Sequence, residues 1–265
     1  METNFLSNEQ LVSRAPSIGA VMAAEHVSDK YSFVPTLKAV DYIRDVGWSP
    51  VEARQSRALD RKREGLQKHM IRFSRPELNI NGHRLEMIMF NSHDAGSSFQ
   101  LYAGVFRFVC MNGMVVGEQM EHFRHIHVGF DPDAFVRSAE AMSSRMGELG
   151  EVIDDWQGIK LDYNERRLYA ESAHLLVYPE TLDNKVAPIK PSALARPRRD
   201  EDSKDDLWTT FNVVQENATK GGLRGRSESG RRMTTRPIGA LDKDKTLNRA
   251  LWTLTQKMAE LKREQ

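Results

Sequence analysis

Six cations crowd the stretch TKGGLRGRSESGRRMTTR, residues 219–236: Lys220, Arg224, Arg226, Arg231, Arg232 and Arg236. A single acid, Glu228, opposes them. Arginine presents a planar fork of donors that matches phosphate oxygens. Glycines at 221, 222, 225 and 230 let the backbone come close to an anion and turn successive N–H groups toward it. The chemistry implied is anion binding, and a nucleic-acid phosphate backbone is the expected ligand. The stretch is not a Walker A loop, which needs the GxxxxGK(S/T) spacing after a strand. A solvated loop between two helices is the competing reading. Six cations less one acid give this segment +5 in a chain whose formal net charge is +1, so the rest sums to −4. An anion site is therefore expected as a local patch.

A second basic stretch, residues 54–75, carries Arg54, Arg57, Arg61, Lys62, Arg63, Lys68, Arg72 and Arg75 against Asp60 and Glu64. Its end, LQKHMIRFS (66–74), alternates as a strand does. Lys68, Met70 and Arg72 then share one face, and His69, Ile71 and Phe73 the other. Lys68 and Arg72 are expected to offer a second phosphate track; a solvated sheet face is the alternative.

The remaining candidates are histidines and a cysteine. FNSHDAGSSFQ (90–100) places His93 beside Asp94, a pair suited to acid–base work or metal ligation. HDAGSS is also a good turn on its own terms, because Asp and Ser bond nearby backbone. In EHFRHIHVG, His125 and His127 fall on one face of a strand, where two histidines can hold zinc. Their neighbours Arg124, Ile126 and Val128 form a mostly apolar face, so the histidine face is expected to meet solvent. With His93 and Asp94 these residues define the metal reading, a divalent-metal nuclease or other phosphoryl hydrolase; otherwise no cofactor is expected, and the balance favours a binding protein over an enzyme. Cys110, between Val109 and Met111 on an expected strand, reads as core packing.

The elements that must carry these residues change in character along the chain. Residues 1–30 are weakly patterned and read as an arm. TLKAVDYIRDVG is a helix with Thr36 as N-cap. Residues 48–129 then alternate, with Asn81-Gly82 and Asn112-Gly113 as turn signals and Gly104 as a bulge, and predict a mainly antiparallel sheet. Asp131-Pro132 starts a helix, and residues 161–178 form another. Residues 184–206 hold three prolines and a mixed-charge run, which reads as an exposed linker. A helix that Gly221 or Gly222 would cap, the basic loop and a long final helix follow. The fold class expected is α+β. The domains expected are an arm (1–30), an α+β core (31–183), a linker (184–206) and C-terminal helices bearing the basic loop (207–265).

Hydrophobic residues make up 40% and charged residues 28%, the balance of an ordinary globular protein. One cysteine excludes an intrachain disulfide framework and favours a reducing compartment. No run approaches a membrane span of roughly 18 apolar residues. The first residues lack a basic start and apolar core, so no signal peptide is expected. A cytoplasmic protein without membrane contact follows as the expectation.

Three segments carry a resemblance: KHMIRF, EMIMFNSHDAGSSFQLYAGVFRFVCMNGMVVG, and LWTTFNVVQENATKGGLRGRSESGRRMTTR followed by LNRALW. From about residue 30 to the C-terminus the chain resembles the domain-of-unknown-function family numbered 932, which includes uncharacterised prophage proteins of enteric bacteria. The resemblance implies a phage- or plasmid-borne setting in a bacterial host, among genes for DNA processing and counter-defence. It transfers no activity and no catalytic residue. The reading that results is a nucleic-acid-binding protein, for single-stranded DNA, with strand annealing or DNA processing as its role. Annealing would require a homo-oligomer. An inhibitor that binds a host protein is a further alternative.

Overall fold

The computed structural model describes residues 4–58, 60–80, 82–107, 112–115, 123–183 and 185–264. The chain divides into two compact units, Met1–Leu149 and Gly150–Gln265. The fold is α+β: a mainly antiparallel sheet fills much of the first unit, and the C-terminal part is helical.

In the first unit, β1 (Ser49–Gln55), β2 (His69–Ile80), β3 (His83–Asn91), β4 (Phe99–Arg107) and β5 (Asn112–Val115) lie side by side in chain order, and β6 (Phe123–His125) also pairs with β4. Every pairing is antiparallel. Ile80 pairs with His83 across the expected Asn-Gly turn, where Gly82 takes φ +78°; Asn81 lies outside the described residues. Asn112-Gly113, expected as a second turn, instead opens β5, with Asn112 opposite Arg107. Gly104 makes no bulge, since it keeps regular register with Glu86. The irregularities fall between Pro50 and Glu52 and between Ser74 and Asn79. The second of these stretches includes Pro76, which has no N–H to give a ladder.

One sheet face packs apolar side chains: Ile71, Phe73, Leu85, Met87, Met89, Phe99, Leu101 and Val105 are all buried. The first unit's other buried apolar groups include Val40 and Ile43 of α2 (Thr36–Asp45) and Phe135, Ala139, Met142 and Met146 of α3 (Pro132–Gly158). Phe99 meets Phe123, Phe130 and Phe135 edge-on at 4.9–5.9 Å between centroids, the geometry aromatic quadrupoles favour. Trp48 Nε1 donates to Ser143 Oγ at 2.9 Å. Residues 6–24, expected to belong to an arm, pack into this unit. Leu6, Leu11, Ala15, Ile18 and Ala24 are buried, α1 (Asn8–Arg14) opens with a Ser7–Gln10 capping box, and Leu6 N donates to Pro50 O. Five apolar side chains scattered without a long period carry this packing, which is why the sequence pattern is weak there.

In the second unit, Trp156 of α3, Trp208 and Trp252 are each at most 2% exposed and meet tilted or edge-on, with ring centroids within 6.4 Å of one another. They centre a group formed by α4 (Tyr163–Val177), α5 (Pro191–Leu194), α6 (Leu207–Lys220) and α7 (Leu241–Arg263). Residues 207–219 of α6 are all buried. A helix buried all round must satisfy its polar side chains internally. Here Asn212 bonds Trp208 O, Gln215 bonds Asn248, and Asn217 bonds Leu194 O and Arg196 O. The stretch expected as an open linker takes part in this packing. Leu194 is fully buried, Ile189 is 7% exposed, and Arg199 joins Asp202 to Glu216 of α6. Its prolines and charges serve a fixed path over α6.

Candidate functional site

The basic stretch folds as a β-hairpin. β7 (Arg224–Arg226) pairs with β8 (Arg232–Thr234), with Arg224 opposite Thr234 and Arg226 opposite Arg232. Residues opposite each other in an antiparallel pair share a face. Arg224, Arg226 and Arg232 therefore stand on one side, and Gly225 and Met233 on the other. Gly225 is pressed against Pro188 and Ile189. Arg226 N donates to Pro188 O at 2.8 Å, and a Cβ added at Gly225 would lie 2.0 Å from that oxygen. Glycine is required here because backbone meets backbone.

Both ends of the hairpin are fixed. At the tip, Ser227 N bonds Arg231 O, Gly230 N bonds Ser227 O with Gly230 at φ +78°, and Arg226 Nη1 bonds Gly230 O. At the base, Gly222 N bonds Thr235 O, Thr235 N bonds Leu223 O, and Leu223 N bonds Thr235 Oγ1. Gly221 ends α6 at φ +60°, against the Arg236 carbonyl. Arg224, Arg226, Arg231, Arg232 and Arg236 are exposed, and among the described residues none has an acidic partner. Lys220 differs: it bonds Glu216 at 3.2 Å, a carboxylate that Arg199 also clamps. Burial pushes the Glu216 pKa up, but the bonds to Arg199 and Lys220 outweigh it and hold the carboxyl below its ordinary value. Lys220 is thus part of the support of α6. An open groove of about 990 Å³ runs between the hairpin and residues 186–190, lined by Arg224, Arg226 and Arg232 and by exposed Val186 and Met233.

The expected second track on the sheet is closed. Lys68, one residue before β2, and Arg72 on it are only 8% and 3% exposed. The Arg72 guanidinium bonds Glu86, which is fully buried, and lies 3.8 Å from Glu52. Arg84 takes the other Glu86 oxygen at 2.7 Å, and both guanidiniums lie over the Phe106 ring. Lys68 sits 5.3 Å from the Phe90 ring centroid. Sequence alternation said nothing of Glu86 on β3, which turns the expected track into a neutralised internal network.

The histidines also depart from expectation. β6 ends at His125, and His127 takes a left-handed conformation, φ +58°. Inward and outward positions nonetheless keep alternating from Phe123 to Val128, with the odd-numbered side turned inward. His127 is 2% exposed while Ile126 and Val128 are 70% and 51% exposed, the reverse of the expected faces. His127 stacks on Tyr31 at 4.7 Å, and its Nδ1 lies 3.3 Å from Ser32 O. His93 meets a histidine that the candidate set omitted, His69, through a shared hydroxyl: Thr36 Oγ1 is 2.8 Å from His69 Nε2 and 3.1 Å from His93 Nε2. Asn91 Nδ2 donates to the same oxygen. Thr36 is therefore a hub within the first unit, and Pro35 holds the N-cap position of α2 expected for it. His69 alternates with Ile71 and Phe73, and that pattern was the available signal that it faces inward.

Burial lowers every member of the cluster. The His69 pKa falls to about 3, by desolvation and then by His93. That of His93 falls to about 4, by desolvation and then by His127, against the opposing pull of Asp94 and the Ser17 carbonyl. His127 and His125 are lowered by desolvation too. Among the described residues, His93 Nδ1, His125 Nε2 and His127 Nε2 are buried without a hydrogen-bond partner. Asp94 caps its own turn through Gly96 N at 2.9 Å and lies 3.6 Å from Arg63. Among the described residues, no three His, Cys, Asp or Glu side chains are grouped to hold a metal ion. Cys110 lies outside the described residues. No helix among the described residues is long and apolar enough to cross a membrane.

Comparison with known proteins gives kinship without an activity. No solved structure matches the chain. Two proteins of Escherichia coli (strain K12), UPF0380 protein YfjQ and UPF0380 protein YafZ, are each 36% identical to it over 252 residues, covering 95% of this chain and 90% of theirs. The model of the domain of unknown function DUF932 matches residues 23–252, and the chain belongs to that family.

Proposed function

We propose that this protein binds single-stranded nucleic acid, DNA first, through the arginine face of β7–β8. The observation that carries the reading is the set of exposed arginines on a rigid hairpin, free of acidic partners among the described residues. Arginines held on a fixed ladder meet a phosphate backbone with little ordering cost. The groove beside them adds Met233 and Val186, apolar surface that suits unstacked bases better than a closed duplex. A role on a phage or plasmid, in annealing or processing strands in the cytoplasm of a bacterial host, fits the resemblance of the sequence. Annealing would add a homo-oligomer to align two strands.

A metal-dependent hydrolase has less to rest on. The Asp94 carboxylate is occupied by its own turn and by Arg63, and His69 and His93 share Thr36. The test is fluorescence anisotropy with labelled single- and double-stranded DNA and single-stranded RNA of one sequence. Tighter, salt-sensitive binding to single strands is expected. Failure to bind any of the three at low salt overturns the reading and turns attention to an acidic host protein as the partner of the hairpin.

A further inference from the structure

The helical unit also holds a cavity rimmed by cations, whose lining shares no residue with the hairpin. It measures about 270 Å³, near the lower end of ligand-pocket size, and lies between α4, α5 and α6. Its floor is apolar, with Ala170, Ala195, Pro197 and Val213. Its rim is cationic, with Arg166, Arg167 and Lys204, and Tyr163 also lines it, 72% exposed.

The local acids are already committed. Asp202 lines the cavity but is 2% exposed and bonded to Arg199 at 2.7 Å. Glu165 takes Lys262 at 2.8 Å, and Asp205 takes Lys160 at 2.7 Å. Arg167 leans 3.7 Å toward Glu171. That leaves Arg166 and Lys204 with no ion-pair partner among the described residues; Arg166 feels Asp205 only at a distance. Arg166 Nε is also shielded from solvent and has no hydrogen-bond partner among the described residues. A shielded guanidinium nitrogen left unbonded carries a desolvation cost that an anionic ligand would remove.

We propose that this cavity binds a phosphate monoester with a flat apolar body, a nucleotide, with its phosphate between Arg166 and Lys204 and its base on the Ala170–Val213 floor beside Tyr163. The same chemistry is offered by a free mononucleotide and by the phosphorylated end of a strand. The site does not rest on the hairpin reading.

Calorimetric titration of the full chain with deoxyadenosine monophosphate, deoxyadenosine and inorganic phosphate tests it. The nucleotide is expected to bind at least tenfold more tightly than either part. Lys204→Ala, an exposed change, should weaken it about tenfold, and Arg166→Gln by more, with circular-dichroism melts confirming that both variants fold. Equal affinity for the three probes, no binding, or unchanged binding in Lys204→Ala overturns the proposal. In an Arg226→Ala/Arg232→Ala background, displacement of the nucleotide by a 5′-phosphorylated oligonucleotide, but not by its 5′-hydroxyl twin, supports the site with a strand end as ligand. Displacement by neither supports it with the free nucleotide.

Discussion

Arg72 on β2 is 3% exposed, with its guanidinium against the buried carboxylate of Glu86; Arg226 on β7 is exposed, and among the described residues its guanidinium bonds only the Gly230 carbonyl. Both arise from stretches of the sequence rich in arginine and lysine. Their difference lies in what stands across the ladder. Arg72 has acids to either side, Glu52 opposite it on β1 and Glu86 on β3, and so completes an internal network. Arg226 faces Arg232, and only solvent or an external anion can balance them. Burial decides which arginine holds the fold and which is available to a ligand.

The contrast is broken most directly by removing the shared acid. Glu86→Ala would leave Arg72 and Arg84 buried without their carboxylate, and a loss of roughly 3–5 kcal/mol is expected, as for a buried pair stripped of one partner. Denaturant unfolding measures it. A variant as stable as the parent would mean that the sheet face is open after all.

Acid should strike the first unit in the same way. His69 and His93 are neutral in the fold, with pKa values near 3 and 4 against an ordinary value near 6.5. The unfolded chain therefore binds more protons below pH 6.5, so the stability from these groups is complete above that pH and drains as pH falls toward the folded values. At pH 5 the loss is on the order of 2 kcal/mol for each histidine, at about 1.4 kcal/mol per pH unit. His69→Gln should flatten the stability profile between pH 7 and 5, and an unchanged slope in that variant would count against the cluster.

A smaller effect is expected where the hairpin rests on residues 186–190. Gly225→Ala drives a methyl into Pro188 O, and relieving it must lift β7 off that segment. Overpacking of this kind costs about 1–3 kcal/mol. DNA affinity should fall with it although no arginine is altered. Retained affinity would show that the arginines act without the fixed ladder.

Much of this architecture was legible in the residues. The strands at 66–74 and 84–92, the Gly221 cap and the helices beginning near Asp131 and Leu207 follow from period, turn chemistry and caps. What escaped were facts set by partners distant in the chain. Lys68 and Arg72 looked like an open track because Glu86 lies on another strand. His127 looked exposed because Tyr31, the ring it stacks on, lies far away in the chain. Residues 184–206 looked like a linker because proline and charge mark loops, whether those loops hang free or, as here, seal a helix. The basic stretch was located, but its hairpin form was not, since three-residue strands leave too short a pattern to read.

The central claim is that exposed hairpin arginines, and not buried sheet arginines, meet a nucleic-acid backbone. The most direct test compares the parent with Arg226→Ala/Arg232→Ala in DNA-binding titrations over a range of salt. Stability should stay within about 0.5 kcal/mol of the parent, as for surface changes. Affinity for single strands should fall, and the slope of log K against log salt should shrink by roughly 1.4, two lost phosphate contacts at about 0.7 each. A double variant that binds with the parent's affinity and the parent's slope would contradict the account.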